Sequence, residues 1–162
     1  MEKDTETLNG LMKDARICMI TTVDENGKIT SRPMTLQEAE LDKQLQLWFF
    51  TMENSEKVQQ IQRNSQVNVS FSDQKHSSWV SVSGSAQVVS DREKMKELWN
   101  PILKAWFPDG IDTPGLVLLS VRIDSAEYWD APNSKVKQIL GMAKSAITGE
   151  PYEPGENKTI DV

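Results

Sequence analysis

Ile17-Cys18-Met19-Ile20-Thr21-Thr22-Val23-Asp24-Glu25-Asn26-Gly27-Lys28-Ile29-Thr30-Ser31-Arg32-Pro33-Met34-Thr35-Leu36 decides the fold. The apolar, β-branched run Ile17 to Val23 reads as a strand. Asn26-Gly27 supplies the positive-φ positions that a tight hairpin needs. Ile29 to Leu36 then returns as the second strand. A chain that opens its core with a hairpin commits to an antiparallel sheet.

The same periodicity runs outward in both directions. Before the hairpin, Leu8, Leu11, Met12 and Ala15 keep helical spacing, so residues 4–14 read as a short amphipathic helix. After it, a polar loop over Gln37 to Lys43 leads to a third strand, Leu45 to Thr51. Leu47, Trp48, Phe49 and Phe50 make that strand apolar on both faces, as in a strand that is central or lines something. Asn54 or Ser55 caps a short helix that turns Val58 and Ile61 inward. Val67, Val69 and Phe71 alternate with polar residues in a fourth strand. Val80, Val82, Ala86 and Val88 do so in a fifth, where Gly84 marks a bulge or a tight bend. Ser90-Asp91-Arg92-Glu93 has the form of a capping box, opening a helix with Met95, Leu98 and Trp99. Asn100-Pro101 restarts it with Ile102, Leu103, Trp106 and Phe107, and Pro108-Asp109-Gly110 ends the segment. Leu116 to Ile123, extending toward Trp129, is a sixth strand. Val136, Ile139, Leu140, Ala143 and Ile147 mark a last helix stopped by Gly149.

The expected fold is therefore mainly β with α additions: a six-stranded antiparallel barrel with peripheral helices. Closing such a sheet removes its exposed edges. The whole chain, 1–162, reads as one domain, with 1–7 and 150–162 as flexible or peripheral tails.

Composition narrows the function. Of the 162 residues, 38% are hydrophobic and 26% charged, ordinary for a globular protein. A net charge of −6 repels a phosphate backbone and disfavours general nucleic-acid binding. One cysteine, Cys18, and one histidine, His76, make neither an internal disulfide nor a Cys/His zinc site. Cys18 sits in an apolar run and reads as core; His76 sits in a polar loop and reads as a turn residue. The charged N-terminus lacks an apolar segment of the kind that signals export, and no stretch is long enough for a membrane span. The expected location is the cytoplasm.

Three segments carry chemistry. Ser31-Arg32-Pro33-Met34 places an arginine at a half-buried strand position, where it needs an anionic partner. Phe49-Phe50-Thr51-Met52-Glu53-Asn54-Ser55-Glu56-Lys57 ends a strand at a helix start. Free N–H groups, the Ser55 hydroxyl and the Lys57 charge there suit a phosphate. Strands two and three are expected to be neighbours, bringing Arg32 and Lys57 to one phosphate, with the apolar strand supporting a flat ring. Glu127-Tyr128-Trp129-Asp130 offers a tryptophan for stacking, for a subunit interface, or for the core. There is no Gly-x-Gly-x-x-Gly fingerprint and no Gly-Lys-Ser/Thr phosphate loop.

Ser-Arg-Pro-Met and Trp-Phe-Phe-Thr-x-x-x-Ser-x-Lys resemble the pyridoxamine 5′-phosphate oxidase-like split-barrel family. Val80-Ser81-Val82-Ser83-Gly84, Asp91-Arg92, Trp106-Phe107-Pro108 and Glu127-Tyr128-Trp129-Asp130 resemble its general stress protein branch. The resemblance spans about residues 8 to 158. It implies a flavin-binding split barrel, a homodimer with FMN, or FAD, at the subunit interface. It implies Arg32 and Lys57 at the flavin phosphate with Ser55 assisting, and Pro33, Met34 and Thr35 beside the isoalloxazine ring. Phe50 and Thr51 would contribute from the third strand, and Trp129 from the partner subunit.

The departures also carry information. The oxidases have an arginine where this chain has Glu56, and a flavin-contacting glutamine where it has Trp79. They carry arginines and an Arg-x-His near the C-terminus that bind the substrate phosphate; here Trp129 is followed by Asp130-Ala131-Pro132-Asn133-Ser134. A pyridoxamine phosphate oxidase is thus not expected. The expected function is a flavin-dependent oxidoreductase of unassigned substrate, with a nicotinamide as electron donor and no assigned catalytic side chain. The competing readings are a non-catalytic flavin store or redox sensor, and a structural or interaction barrel.

Overall fold

A computed structural model describes residues 2–37, 45–130, 142, 144–151 and 155–161. The elements run α1 (Glu2–Asp14), β1 (Ile17–Val23), β2 (Ile29–Thr35), β3 (Gln46–Met52), α2 (Glu56–Arg63), β4 (Gln66–Asp73), β5 (Ser78–Val89), α3 (Arg92–Leu98), β6 (Leu116–Asp130) and β7 (Glu156–Asp161). Two 3₁₀ turns, Pro101–Ala105 and Gly110–Asp112, lie between α3 and β6. Residues 144–148 are helical; the rest of the expected last helix lies outside the described residues.

Every strand pairing is antiparallel. The sheet order is β2-β1-β4-β5-β6-β3, curled into a half-barrel, with β7 added on β6. The hairpin forms as expected, with Gly27 at φ 80° and the Asp24 carboxylate accepting from the N–H groups of Asn26 and Lys28.

One expectation is corrected. β2 and β3 are not neighbours in the sheet; they are its two ends. β3 pairs instead with β6, from Gln46 opposite Arg122 to Met52 opposite Leu116. Chain order suggested a meander, but a strand buried on both faces is better satisfied beside the long central strand. Among the described residues, the β2 side meets β3 through one backbone hydrogen bond, from Gln37 N–H to the Trp48 carbonyl at 3.0 Å.

β6 is the spine of the sheet. Its Leu116–Arg122 half ladders with β3, and its Ser125–Asp130 half ladders with β7. The changeover coincides with a bulge: Ser83 faces Ser125 and Gly84 faces Ile123, leaving Asp124 as the extra residue. The C-terminal tail thus contributes an edge strand, for which the sequence carries no core pattern beyond Ile160 packed on the core.

Two apolar clusters flank the sheet. The larger lies inside the curl and includes Ile20, Leu47, Phe49, Val69, Val82, Leu119 and Val121. The smaller lies across β3, where Trp48 and Phe50 pack with Met95, Leu103, Leu116 and Leu118. Phe50 meets Trp99 edge to face, with centroids 5.4 Å apart. Cys18 is a buried core thiol, as its apolar setting suggested. Burial raises its pKa to about 12, which keeps it protonated. His76 braces its own turn: Nδ1 lies 2.5 Å from Asp73 Oδ2, and that contact holds the Asp73 carboxyl below its ordinary range. Among the described residues no helix is long and apolar enough to cross a membrane.

The bulge makes a quantitative demand on Gly84. A Cβ there would lie 2.2 Å from the Arg122 carbonyl oxygen, which is backbone and cannot swing aside. Gly84→Ala is expected to destabilise the chain by about 2–3 kcal/mol in urea denaturation. Gly10, inside α1 with nothing within 4 Å of an added Cβ, is the control. Gly10→Ala is expected to stabilise by about 0.5–1 kcal/mol.

Candidate functional site

Because β2 and β3 do not ladder, a cleft opens between them. Pro33, Met34, Thr35 and Gln37 line one side, and Phe50, Thr51 and Met52 the other. Ser55 and Lys57 close one end from the start of α2, and Leu103, Trp106 and Phe107 wall it from the 3₁₀ turn. The cavity measures about 200 Å³. Pro33 fits its place: β2 is an edge strand, so a residue without an N–H costs no ladder bond.

The α2 end is short of hydrogen-bond acceptors. Ser55 is the N-cap, yet its side chain caps nothing. Its Oγ is buried without a partner, the one such side-chain atom among the described residues. Asp91, the N-cap of α3, shows the ordinary arrangement: its carboxylate accepts from the N–H groups of Glu93 and Lys94. Lys57 is half-buried and, among the described residues, forms no hydrogen bond or ion pair. Burial lowers its pKa, and the positive charge of Arg32 lowers it further.

Arg32 was expected to need an anion. It is held instead by neutral oxygens. NH1 donates to Thr22 Oγ1 at 2.6 Å and the Ile20 carbonyl at 3.3 Å; NH2 donates to Thr30 Oγ1 at 3.0 Å and Gln60 Oε1 at 3.3 Å. Burial lowers its pKa, and the Glu56 carboxylate nearby works against that. Its charge therefore stays uncompensated by any ion pair among the described residues, near enough to Lys57 to act on it.

Of the residues singled out from sequence, Pro33, Met34, Thr35, Phe50, Thr51, Ser55 and Lys57 meet in this cleft, with Arg32 close enough to shift Lys57. Trp79 and Trp129 do not. They face each other across β5 and β6 and line a second, apolar hollow of about 270 Å³ with Ile17 and Met19. Sequence reading missed Thr22 and Gln60 behind Arg32, and Leu103, Trp106 and Phe107 as a wall. The four-residue spacing of Glu56 and Gln60 puts them on one helix face, and was the available signal for Gln60.

A ligand fitting the cleft would present an anion to Ser55, Lys57 and Arg32 and a flat or apolar body to the β2 and β3 walls. A buried hydroxyl without a partner, together with two cations that form no ion pair among the described residues, is what a bound phosphate satisfies.

The family model described as pyridoxamine 5′-phosphate oxidase like matches residues 3–153. Protein bli-3 of Neurospora crassa is 30% identical over 160 residues, covering 93% of this chain and 76% of that protein. The general stress FMN/FAD binding protein of Xanthomonas citri superposes with a TM-score of 0.69 at 28% identity, covering 83% of this chain and 93% of that one. A protein related to general stress protein 26 from Clostridium acetobutylicum shares the fold, with a TM-score of 0.73 at 21% identity over 100% of this chain and 96% of that one.

Two predictions follow from the unpaired groups. Ser55→Ala is expected to leave the ligand-free chain as stable as before or slightly more so, because no cap bond is lost. Asp91→Ala is expected to cost about 1 kcal/mol in the same denaturation series. Lys57 gives a pH signature. Its native pKa lies below the ordinary 10.5, so the folded chain binds this proton less tightly than the unfolded chain. Stability is expected to rise with pH between the native value and 10.5, and Lys57→Met to flatten that rise and lift the melting temperature at pH values below it.

Proposed function

Because the chain belongs to the pyridoxamine 5′-phosphate oxidase-like family, we propose that it binds a flavin in the cleft between β2 and β3. The observation that carries this reading is the buried, unpartnered Ser55 Oγ beside Lys57 and Arg32 at the end of an aromatic-walled cleft. Arg32, Lys57 and Ser55 would hold the phosphate. Pro33, Met34 and Thr35 would run beside the ring, with Phe50 and Thr51 opposite.

A bound flavin would supply the electron-transfer chemistry. The chain's own residues would bind it, orient it and shield it from water. The proposed activity is oxidoreduction of an unassigned small substrate, with a nicotinamide as donor and FMN as the first cofactor to test, FAD the second.

The cleft is about 200 Å³, smaller than the roughly 300–1,000 Å³ typical of small-molecule sites. A second wall is therefore part of the proposal. Ile17, Met19 and Trp79 are 64%, 40% and 41% exposed on the outer face of the sheet, beside Trp129. Such an apolar patch suits burial against a second copy. In the proposed homodimer, Trp129 of the partner subunit, with Trp79 next to it, completes the site. The single free cysteine is buried, consistent with the proposed cytoplasmic location.

A specific departure favours a second reading, a flavin store or redox sensor without turnover. The segment after Trp129 carries Asp130 rather than cations for a phosphorylated substrate.

The test is reconstitution with FMN and FAD, read by flavin fluorescence and by mass spectrometry of the released ligand. Lys57→Ala is expected to weaken FMN binding about tenfold with little loss of fold stability. Unchanged flavin fluorescence on adding either cofactor to the wild-type chain overturns the flavin reading. Reduction by NADH or NADPH with turnover on an acceptor would decide for the enzyme over the store.

A further inference from the structure

The charges around Arg32 pose a problem that the site must solve. Glu56 is the first residue of α2, next to Ser55 and one turn from Gln60. Its carboxylate is close enough to stabilise the charged form of Arg32. The two groups also share a hydrogen-bonding neighbour, and a carboxylate and a guanidinium can join directly in a bidentate pair. Among the described residues they do not.

Gln60 stands between them. It is only 6% exposed, although it is polar. Its Nε2 donates to Glu56 Oε1 at 2.9 Å. Its Oε1 accepts from Arg32 NH2 at 3.3 Å and from Thr22 Oγ1 at 2.5 Å. The Thr22 hydroxyl, fully buried, in turn accepts from Arg32 NH1 at 2.6 Å. Each end of the carboxamide thus meets the group that complements it: the donor faces the anion, and the acceptor faces the cation. Thr22 fixes the side on which Oε1 lies, because it offers its only O–H there.

We infer that Gln60 is a positioning residue for anion recognition: it separates the Glu56 carboxylate from the Arg32 guanidinium and so leaves the Arg32 charge unneutralised, to act with Lys57 on a ligand's phosphate. The inference deepens the flavin reading and rests on it for the ligand used. Glu56 is then a built-in competitor for Arg32, restrained by one carboxamide. An isosteric apolar residue at position 60 releases both groups. Arg32 closes onto Glu56, and the phosphate loses a cation.

The experiment compares FMN with riboflavin, which differ by the phosphate. The ratio of their affinities isolates the phosphate end; a general loosening of the fold moves both affinities together. Gln60→Leu is expected to lower the FMN-to-riboflavin ratio about tenfold while riboflavin affinity holds. Glu56→Gln is expected to raise the ratio several-fold. The double variant Gln60→Leu/Glu56→Gln is the deciding one. With no carboxylate to capture Arg32, the ratio is expected to return close to or above the wild-type value, a coupling that independent structural defects do not produce. An unchanged ratio in Gln60→Leu, or no recovery in the double variant, overturns the inference. A crystal structure of ligand-free Gln60→Leu gives a readout independent of flavin. An Arg32–Glu56 ion pair is expected, and two groups still apart overturn the inference. If the wild-type chain binds neither FMN nor riboflavin, the flavin reading fails while this structural comparison still decides the role of Gln60.

Discussion

Among the described residues, one backbone hydrogen bond, from Gln37 N–H to the Trp48 carbonyl, joins the two ends of the main sheet path. A closed barrel would pair the whole facing lengths of β2 and β3, and their side chains would fill the space between. Here the strands meet at a corner and diverge, and what closes the gap is not sheet. α2 enters at one end, and the 3₁₀ turn at Pro101–Ala105 enters from outside β3. The cleft, the exposed edge that tolerates Pro33, and the placement of Ser55 and Lys57 all depend on that incomplete closure. β3 can diverge from β2 because it is fully laddered on its other side, to the Leu116–Arg122 half of β6.

The charges in the cleft are costly in the free chain. Among the described residues, Lys57 is half-buried without a counter-ion, and Ser55 Oγ is buried without a hydrogen-bond partner. Neither contributes to folding; each is a donor held in place before any ligand arrives. The arrangement makes binding cheaper because the ordering is already done. Arg32 shows the same principle in a stabler form. Four neutral oxygens fix its guanidinium without cancelling its charge. A carboxylate in their place would have satisfied the arginine and closed the site.

The parts of this arrangement that were legible in the sequence are local. The Asn26-Gly27 hairpin, the alternation in β4 and β5, and the bulge glycine at position 84 are written in neighbouring residues. So was the two-faced character of β3: Leu47 and Phe49 pack inside the curl, and Trp48 and Phe50 pack outside it. Pro33, Met34, Thr35, Phe50, Thr51, Ser55 and Lys57 do line one cleft, while Trp79 and Trp129 line another hollow, and the expected β2–β3 pairing that was to bring the cleft residues together is absent. Arg32 acts on Lys57 from β2 to the start of α2, not along a ladder between β2 and β3. Pairing between β3 and β6 spans more than sixty residues of chain, and no local pattern encodes it. β7 was hidden for a related reason. An edge strand that covers half of β6 has only one side to bury, and Ile160 alone marks it. Gln60 was hidden because a glutamine on a short helix looks like a solvated surface until its neighbours are known.

The outer face of the sheet follows from the same geometry. β1 sits beside β2, so the residues it turns outward, Ile17 and Met19, lie on the flank of the cleft. Across β4, β5 continues that face with Trp79, and β6 adds Trp129 directly opposite. A barrel closed in the ordinary way could carry such a patch without any link to its interior. In a split barrel the patch and the open side of the cleft belong to one sheet, at most a few strands apart. On the proposed reading, the second copy that covers the patch also reaches the cleft. Dimer formation and completion of the flavin site are then one event, which would cover the exposed Trp79 and enlarge the enclosed cavity.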